Sequence, residues 1–360
     1  MERESQPGRP RFSVVMAAYN MEPYLDETVA TVVAQTCPDW ELVVVDDGST
    51  DRTPDLLAAW SQRDSRIRVV AQERKGKPAF GRNRGIREAR GEIITFLDGD
   101  DLYHPEKLER QLAILEQWPD VGAAFHDFFW FHSGSEMPAN GYLRHLQYLQ
   151  RADGFFEPAS LHGETIYLGG PDFFKFMASE LVGIHTSTIA VRRTVLDQIG
   201  PDPFNEALPH GEDIHLWLRI GLATRLAYLD RPLSYYRYHN ESWVMSIARG
   251  KMARGLYEVN GEMLDRLEGL LRPEERSRFA EKVANYWYRI GRRCLEGGLW
   301  PEARRSFVKA LVRTRRPSQA YLSFKGVVTT VLPKWFLQAY WRRTQGGQFS
   351  PRPRPPEAAE

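Results

Sequence analysis

The chain has 360 residues, with 48 lysines and arginines against 47 acidic residues, a net charge of +1, and 42% hydrophobic and 26% charged positions. This composition excludes a fibre or a disordered chain and fits a soluble globular protein with one large core or two smaller ones. So even a charge balance provides no global field for gripping nucleic acid, and any polyanion must be met by a local patch. Cys37 and Cys294 lie far apart with no metal-ligand spacing, which suits a reducing compartment. The charged, proline-broken start MERESQPGRPRF is no signal peptide, and no apolar run reaches the roughly 18 residues of a membrane span. The expected location is the cytoplasm.

In chain order, residues 1–10 read as a flexible N-terminus. FSVVMAA (12–18) is then a strand, and Leu25, Val29, Val32 and Val33 fall at helical spacing. ELVVVDD from Glu41 is a second strand. A helix is expected near Pro54, where Thr53 can cap and proline fits the first turn. RIRVV is a third strand, a basic helix covers Phe80 to Arg90, and EIITFLD is the fourth strand. Apolar runs of this kind suit parallel strands covered on both faces, so the fold class is α/β with a mainly parallel central sheet. A helix opening at Pro105 and the apolar segment VGAAFHDFFWF complete a nucleotide half over residues 11–130.

The acceptor half is assigned to residues 131–245. Its first part, His132 to Val182, has no clear period and reads as a variable region over the cleft. Order returns at HTSTIAVRRTVLDQIG, and GEDIHLWLRIG predicts a short helix with Ile214, Leu218 and Leu222 on one face. Residues 246–345 form a helical C-terminal region. Within it YRIGRRCLEGGLWPEARRSFVKAL resembles one tetratricopeptide helix pair, with Ala303 and Phe307 at the expected spacing. Residues 346–360 have the composition of a disordered tail.

Open α/β sheets bind ligands beyond the carboxyl ends of their strands. Tyr19 with Asn20, Asp46 with Asp47, and Asp98 with Asp100 all fall at such ends. Like charges as close as those of FLDGDD (96–101) resist ionising unless something positive sits between them. Gly99 lets Asp98 and Asp100 converge, and oxygen ligands suit Mg²⁺ or Mn²⁺; the alternative is a polar turn in which Asp101 caps the next helix. Asp46, Ser49, Thr50 and Asp51 are good turn residues, although a carboxylate at this edge can also accept from a base N–H. Of the basic run Arg74, Lys75, Lys77, Arg82, Arg84 and Arg87, only Arg82 is singled out for phosphate. Glu212 and Asp213 occupy the first turn of a helix, whose dipole keeps a proton-accepting carboxylate ionised. His239 is a further metal-ligand candidate against a packing role.

Together SVVMAAYN, QTCPDWELVVVDDGSTD, GRNRGIREARGEIITFLDGDD and GEDIHLWLRI resemble family 2 glycosyltransferases in order and spacing, over about the first two thirds of the chain. The resemblance implies a GT-A fold, a nucleotide-sugar donor with UDP favoured, a divalent metal, and inversion at the anomeric carbon. It assigns Ala17, Tyr19, Asp47, Arg82 and Asp98 to the donor, Asp100 to the metal, and Asp213 as catalytic base. Gly81 departs from the alanine usual before Arg-Asn. The Gln-x-x-Arg-Trp motif of processive synthases is absent, so transfer of one sugar to a glycan or lipid-linked saccharide of the cell envelope is expected. The alternative is a GT-A domain that binds nucleotide sugars without turnover, as an interaction module. Trp335, Phe336, Tyr340 and Trp341 among Lys334, Arg342 and Arg343 suit peripheral contact with an anionic membrane at its inner face, against a packed C-terminal helix.

Overall fold

The computed structural model describes residues 9–132, 156–169, 184–239, 249–271 and 273–331. The expected flexible N-terminus, the aromatic and basic segment after Val331 and the tail over 346–360 therefore lie almost wholly outside the described residues. The chain divides into two compact units, Met1–Arg272 and Pro273–Glu360.

In the first unit, β1 (Phe12–Ala18), β2 (Trp40–Asp46), β3 (Ile67–Ala71) and β4 (Ile93–Phe96) pair in the order β3-β2-β1-β4, all parallel. Every residue of β2 is buried, and of β1 only Ala17 is partly open. Helices cover both faces, which is why these strands are continuous rather than alternating apolar runs. The connecting helices are α1 (Leu25–Val33), α2 (Thr53–Arg63) and α3 (Pro78–Glu88). Thr53 does not cap α2 with its side chain. Its Oγ1 instead accepts the Met21 N–H at 2.8 Å, and Asp51 takes the Thr53 N–H at 2.9 Å.

The chain continues through β5 (Leu102–Tyr103), α4 (Lys107–Gln117), β6 (Val121–His132), β7 (Phe156–Leu161) and β8 (Glu164–Gly169). A 3₁₀ turn (Thr186–Thr188) then leads into β9 (Ala190–Arg192), α5 (Arg193–Ile199), α6 (Glu212–Ala223), β10 (Arg225–Tyr238) and α7 (Arg249–Leu270). The short strand β9 lies antiparallel between β4 and β6, and β10 runs parallel to β6. Because β9 opposes both neighbours, β4, β6 and β10 point the same way as β1 and β2. Their carboxyl ends share one edge. The β7–β8 hairpin closes the far side, and β5 pairs with β10.

Two local expectations change. Within the segment read as lacking a period, β6 runs on to His132 and the hairpin turns at His162 and Gly163, both at positive φ (50° and 83°). Such a two-residue turn matches the twist of its strands. On α6 the buried side is Leu216, Trp217, Leu218 and Ile220, so Leu218 is buried as expected, whereas Ile214 is only partly buried and Leu222 is 41% exposed. The indole of Trp217 decides the rotation, since it seats between Phe96 and Phe204 at ring separations of 5.7 and 5.8 Å.

Beneath β4 lies a buried polar knot. Lys107 donates to Thr95 Oγ1 and Gln111 Oε1, each at 2.8 Å, and its Nζ sits 4.0 Å above the Tyr103 ring. Burial pulls its pKa well below the usual lysine range.

The second unit holds α8 (Pro273–Glu296), α9 (Trp300–Arg313) and α10 (Pro317–Val331). Ala303 and Phe307 of α9 are buried, and the Phe307 ring fills the space left by Gly291 and Gly326, where a Cβ would come within 2.8 and 2.6 Å of it. Among the described residues no helix is long and apolar enough to cross a membrane.

The first unit depends on close approach at Gly91, where a Cβ would lie 2.5 Å from Ser13 N and 2.6 Å from Phe12 C. Backbone cannot swing aside as a side chain can. Gly91→Ala should therefore cost about 3 kcal/mol in denaturant unfolding, against about 1 kcal/mol for Gly163→Ala, where only the φ is strained. Equal midpoints for wild type and Gly91→Ala would mean that β1 yields freely at this point.

Candidate active site

At the end of β1, Asn20 adopts a left-handed conformation (φ 53°) and knits to the loop after β2. Its N–H donates to Ser49 Oγ at 2.9 Å, and its Oδ1 accepts the Thr50 N–H at 2.8 Å. Asp46 accepts the Ser49 N–H at 3.1 Å, so Asp46, Ser49 and Thr50 are turn residues here. Asp47 differs. Its buried carboxylate accepts from Gln72 Nε2 (2.7 Å), Lys75 N (2.8 Å), Gly76 N (2.9 Å) and the Arg74 guanidinium. That guanidinium also lies 3.3 Å above the Tyr19 ring, so Tyr19, Arg74 and Asp47 make one compact group. Ala17, on β1 nearby, faces Gly81 of α3: a Cβ at Gly81 would sit 2.8 Å from that of Ala17.

The loop after β4 is fixed from three sides. Thr28 Oγ1 of α1 donates to Gly99 O (3.1 Å), Asp98 N donates to Ser187 Oγ (3.1 Å), and Arg237 Nε donates to Asp100 O (2.8 Å). Asp101 caps no helix, because its fully buried carboxylate accepts from Ser187 Oγ at 2.6 Å and from Arg237 N at 3.1 Å. Burial and its neighbours Asp100 and Asp98 push the Asp101 pKa well up. Asp100 points to His239, whose Nε2 is 2.9 Å from its Oδ2. Asp98, Asp101 and His185 offer ligand atoms all within 4.8 Å of one another. Carboxylates and imidazoles in this arrangement fit a divalent cation of the Mn²⁺ or Mg²⁺ type.

Arg82 joins this loop to α6. Its buried guanidinium donates to Asp98 Oδ1 at 2.6 Å and to Glu212 Oε1 at 3.0 Å. Burial draws its pKa down, but Asp98, Glu212 and Asp213 outweigh that and hold it above the ordinary arginine value. Gly211, at φ 82°, turns the chain into α6, and Asp213 Oδ1 accepts the Ile214 N–H at 2.8 Å. The helix start was expected to keep Asp213 ionised. The balance instead raises its pKa, because burial and the Glu212 charge exceed the help from Arg82 and the Ile214 N–H.

His185 went unremarked in the sequence, where it opens a strand-like run. It packs against Phe128 (5.1 Å) and Tyr236 (4.7 Å), with Nδ1 3.7 Å from Asp101 Oδ2. Burial lowers its pKa, opposed by the charges of Asp98, Asp213 and Asp100.

Polar groups at the carboxyl edge of the sheet, a carboxylate loop suited to a cation and Asp213 at the start of α6 make an enzyme-like site on a mixed α/β sheet. The model of "Glycosyl transferase family 2" matches residues 13–163. The uncharacterized glycosyltransferase alr2836 of Nostoc sp. is 30% identical over 249 residues, 66% of this chain and 68% of that protein. TuaG of Bacillus subtilis, a glycosyltransferase named for teichuronic acid biosynthesis, is 40% identical over 107 residues, 30% of this chain and 42% of TuaG. The chain belongs to glycosyl transferase family 2 and is a glycosyltransferase. Among solved structures, S. aureus TarS 1-349 in complex with UDP-GlcNAc superposes with a TM-score of 0.56 at 17% identity, covering 94% of this chain and 93% of that one. The mannosyltransferase PcManGT of Pyrobaculum calidifontis, in complex with GDP-Man and Mn²⁺, gives 0.51 at 20% identity over 94% and 85%. These likenesses establish the GT-A fold.

Removing Arg82 leaves the buried Glu212 and the partly exposed Asp98 without their shared cation. Arg82→Ala should lower stability by about 3–5 kcal/mol in denaturant unfolding, and adding Glu212→Gln should recover part of that loss. Strictly additive losses would mean that the two residues do not interact.

Proposed function

We propose that the protein is an inverting, metal-dependent transferase that moves one sugar from a nucleotide-sugar donor, a UDP-sugar foremost, to a hydroxyl of a glycan or lipid-linked saccharide in cell-envelope polysaccharide biosynthesis. The observation that carries this reading is the Arg82 bridge, which ties the carboxylate loop to the helix start bearing Asp213. Donor-side and base-side groups thereby face one cleft.

In this reading Tyr19 stacks on the base and Asp47 pairs with a base N–H, displacing one of its present donors. Arg74, now over the Tyr19 ring, is the one that stands where a base would stack. Ala17 lines the donor cleft, Asp98 holds the ribose or sugar side, and Arg82 orients Asp98 toward it. Asp100 with His239 would hold the Mn²⁺ or Mg²⁺, Asp98 lying beside them. Such a cation, when bound, offsets the charge building on the departing diphosphate. Asp213 accepts the proton of the acceptor hydroxyl as it attacks from the face opposite the diphosphate, which inverts the anomeric carbon. Its raised pKa suits that task, since a stronger base takes the proton more readily. A module that binds without turnover would have no use for such a carboxylate. UDP-GlcNAc in TarS, Mn²⁺ in PcManGT and the name of TuaG support the donor class, the metal and the polysaccharide context.

Two variants test the assignment. Asp213→Asn should retain UDP binding by calorimetry while kcat falls by a factor of about 10² to 10⁴, and the acid limb of the wild-type pH profile should vanish with it. Asp100→Ala should abolish transfer and leave UDP binding indifferent to Mn²⁺. Normal turnover in either variant removes that residue from the mechanism.

The reading also places the enzyme in the cytoplasm, peripherally attached to the inner face of an anionic membrane where a lipid-linked acceptor resides. Tyr321, Leu322, Phe324 and Val331 of α10 are 66%, 40%, 56% and 57% exposed, which supports attachment. The full chain should float with anionic liposomes at low salt, and a chain cut before Tyr321 should not. Sedimentation of both would remove the membrane from the proposal.

A further inference from the structure

Strands β6 and β10 end at the edge where the carboxylates gather, and their last residues carry rings. In the parallel register Tyr236 lies beside Trp130 and Tyr238 beside His132. Side chains alternate along a strand, so Phe128, Trp130 and His132 share one sheet face with Tyr236 and Tyr238. The rings make two contact groups that the register sets side by side. His185 touches Phe128 and Tyr236 at 5.1 and 4.7 Å, and His132 touches Trp130 and Tyr238 at 5.3 and 5.2 Å.

The two ends of this strip differ. At the inner end stands His185, beside Asp101 and under the influence of Asp98 and Asp213. Tyr236 packs on that ring, and burial together with Asp101, Asp100 and Asp98 pushes its phenol up to about 12, so its O–H stays a donor. At the outer end Trp130 and Tyr238 remain 44% and 36% exposed. An indole and a phenol in line, open to water and continuous with a catalytic cleft, are poorly explained as core.

The chemistry of the strip narrows what it can hold. None of these side chains carries a fixed charge, which disfavours a phosphate backbone or an acidic peptide. Flat rings offer their faces to the C–H side of a pyranose, while phenol and imidazole edges meet its hydroxyls. We propose that the strip is the acceptor subsite: Trp130 and Tyr238 stack on pyranose units remote from the reaction, and His185 with Tyr236 contacts the unit whose hydroxyl meets Asp213. This assignment rests on the glycosyltransferase reading above and adds the residues that hold the saccharide acceptor.

The full-length protein is tested in two separate assays, binding to a glycan array printed with bacterial surface oligosaccharides and Mn²⁺-dependent hydrolysis of a UDP-sugar panel without acceptor. Trp130→Ala and Tyr238→Ala should each weaken glycan binding by about tenfold or more, with donor hydrolysis at the wild-type rate. Trp130→Phe, which keeps a ring, should retain most of the binding. Binding unchanged in both alanine variants, or a wild type that binds no glycan, overturns the subsite; so does a joint loss of binding and hydrolysis, which would mark the rings as structural. Absent hydrolysis in a wild type that still binds glycan through Trp130 would count against the transfer reading and leave the subsite standing.

Discussion

One buried guanidinium holds the arrangement together. Arg82 is 6% exposed and spans from Asp98 to Glu212, so a side chain from the nucleotide-side helix α3 fixes the start of α6 on the other side of the cleft. Only a planar, permanently charged fork can satisfy two carboxylates at once in so little water. Leaving either carboxylate unpaired would be costly, which makes the relative placement of the loop and the helix a property of the fold rather than of a bound ligand.

The sheet supplies the frame on which that bridge acts. Inserting β9 antiparallel between β4 and β6 lets the strand order cross from the nucleotide half to the acceptor half without reversing the edge on which the carboxyl ends meet. The turn leading into β9 then delivers Ser187, which accepts from Asp98 N and donates to Asp101, while Arg237 reaches the same loop from β10. Three elements far apart in sequence clamp four consecutive residues. A loop so clamped can keep like charges close without collapsing away from them.

Much of this was legible from residue order alone. The four parallel strands declared themselves as apolar runs ending in polar pairs, because strands covered on both faces tolerate little else. What stayed hidden depends on contacts between distant segments. The buried side of α6 could be read only in part from the spacing of Ile214, Leu218 and Leu222: Leu218 is buried, but the ring partners that turn Trp217 inward come from elsewhere in the chain. His185 carries no local signal, and its place among the acids exists only after β9 has paired. The His162–Gly163 turn lacks the Asn-Gly or Asp-Gly signature that marks most hairpins of its kind. Asp101 looked like a helix cap because capping is what an aspartate before a helix most often does; here two distant donors claim it first.

The contact between Ala17 and Gly81 couples two positions sterically. A methyl at 81 would meet that of Ala17 at 2.8 Å, so the alanine usual before Arg-Asn can return only in a chain that has trimmed residue 17 or shifted α3 away from β1. Shifting the helix would carry Arg82 with it and slacken both of its ion pairs. The smallest residue in the motif therefore sets how closely α3 rides on β1, and with it the reach of the Arg82 fork.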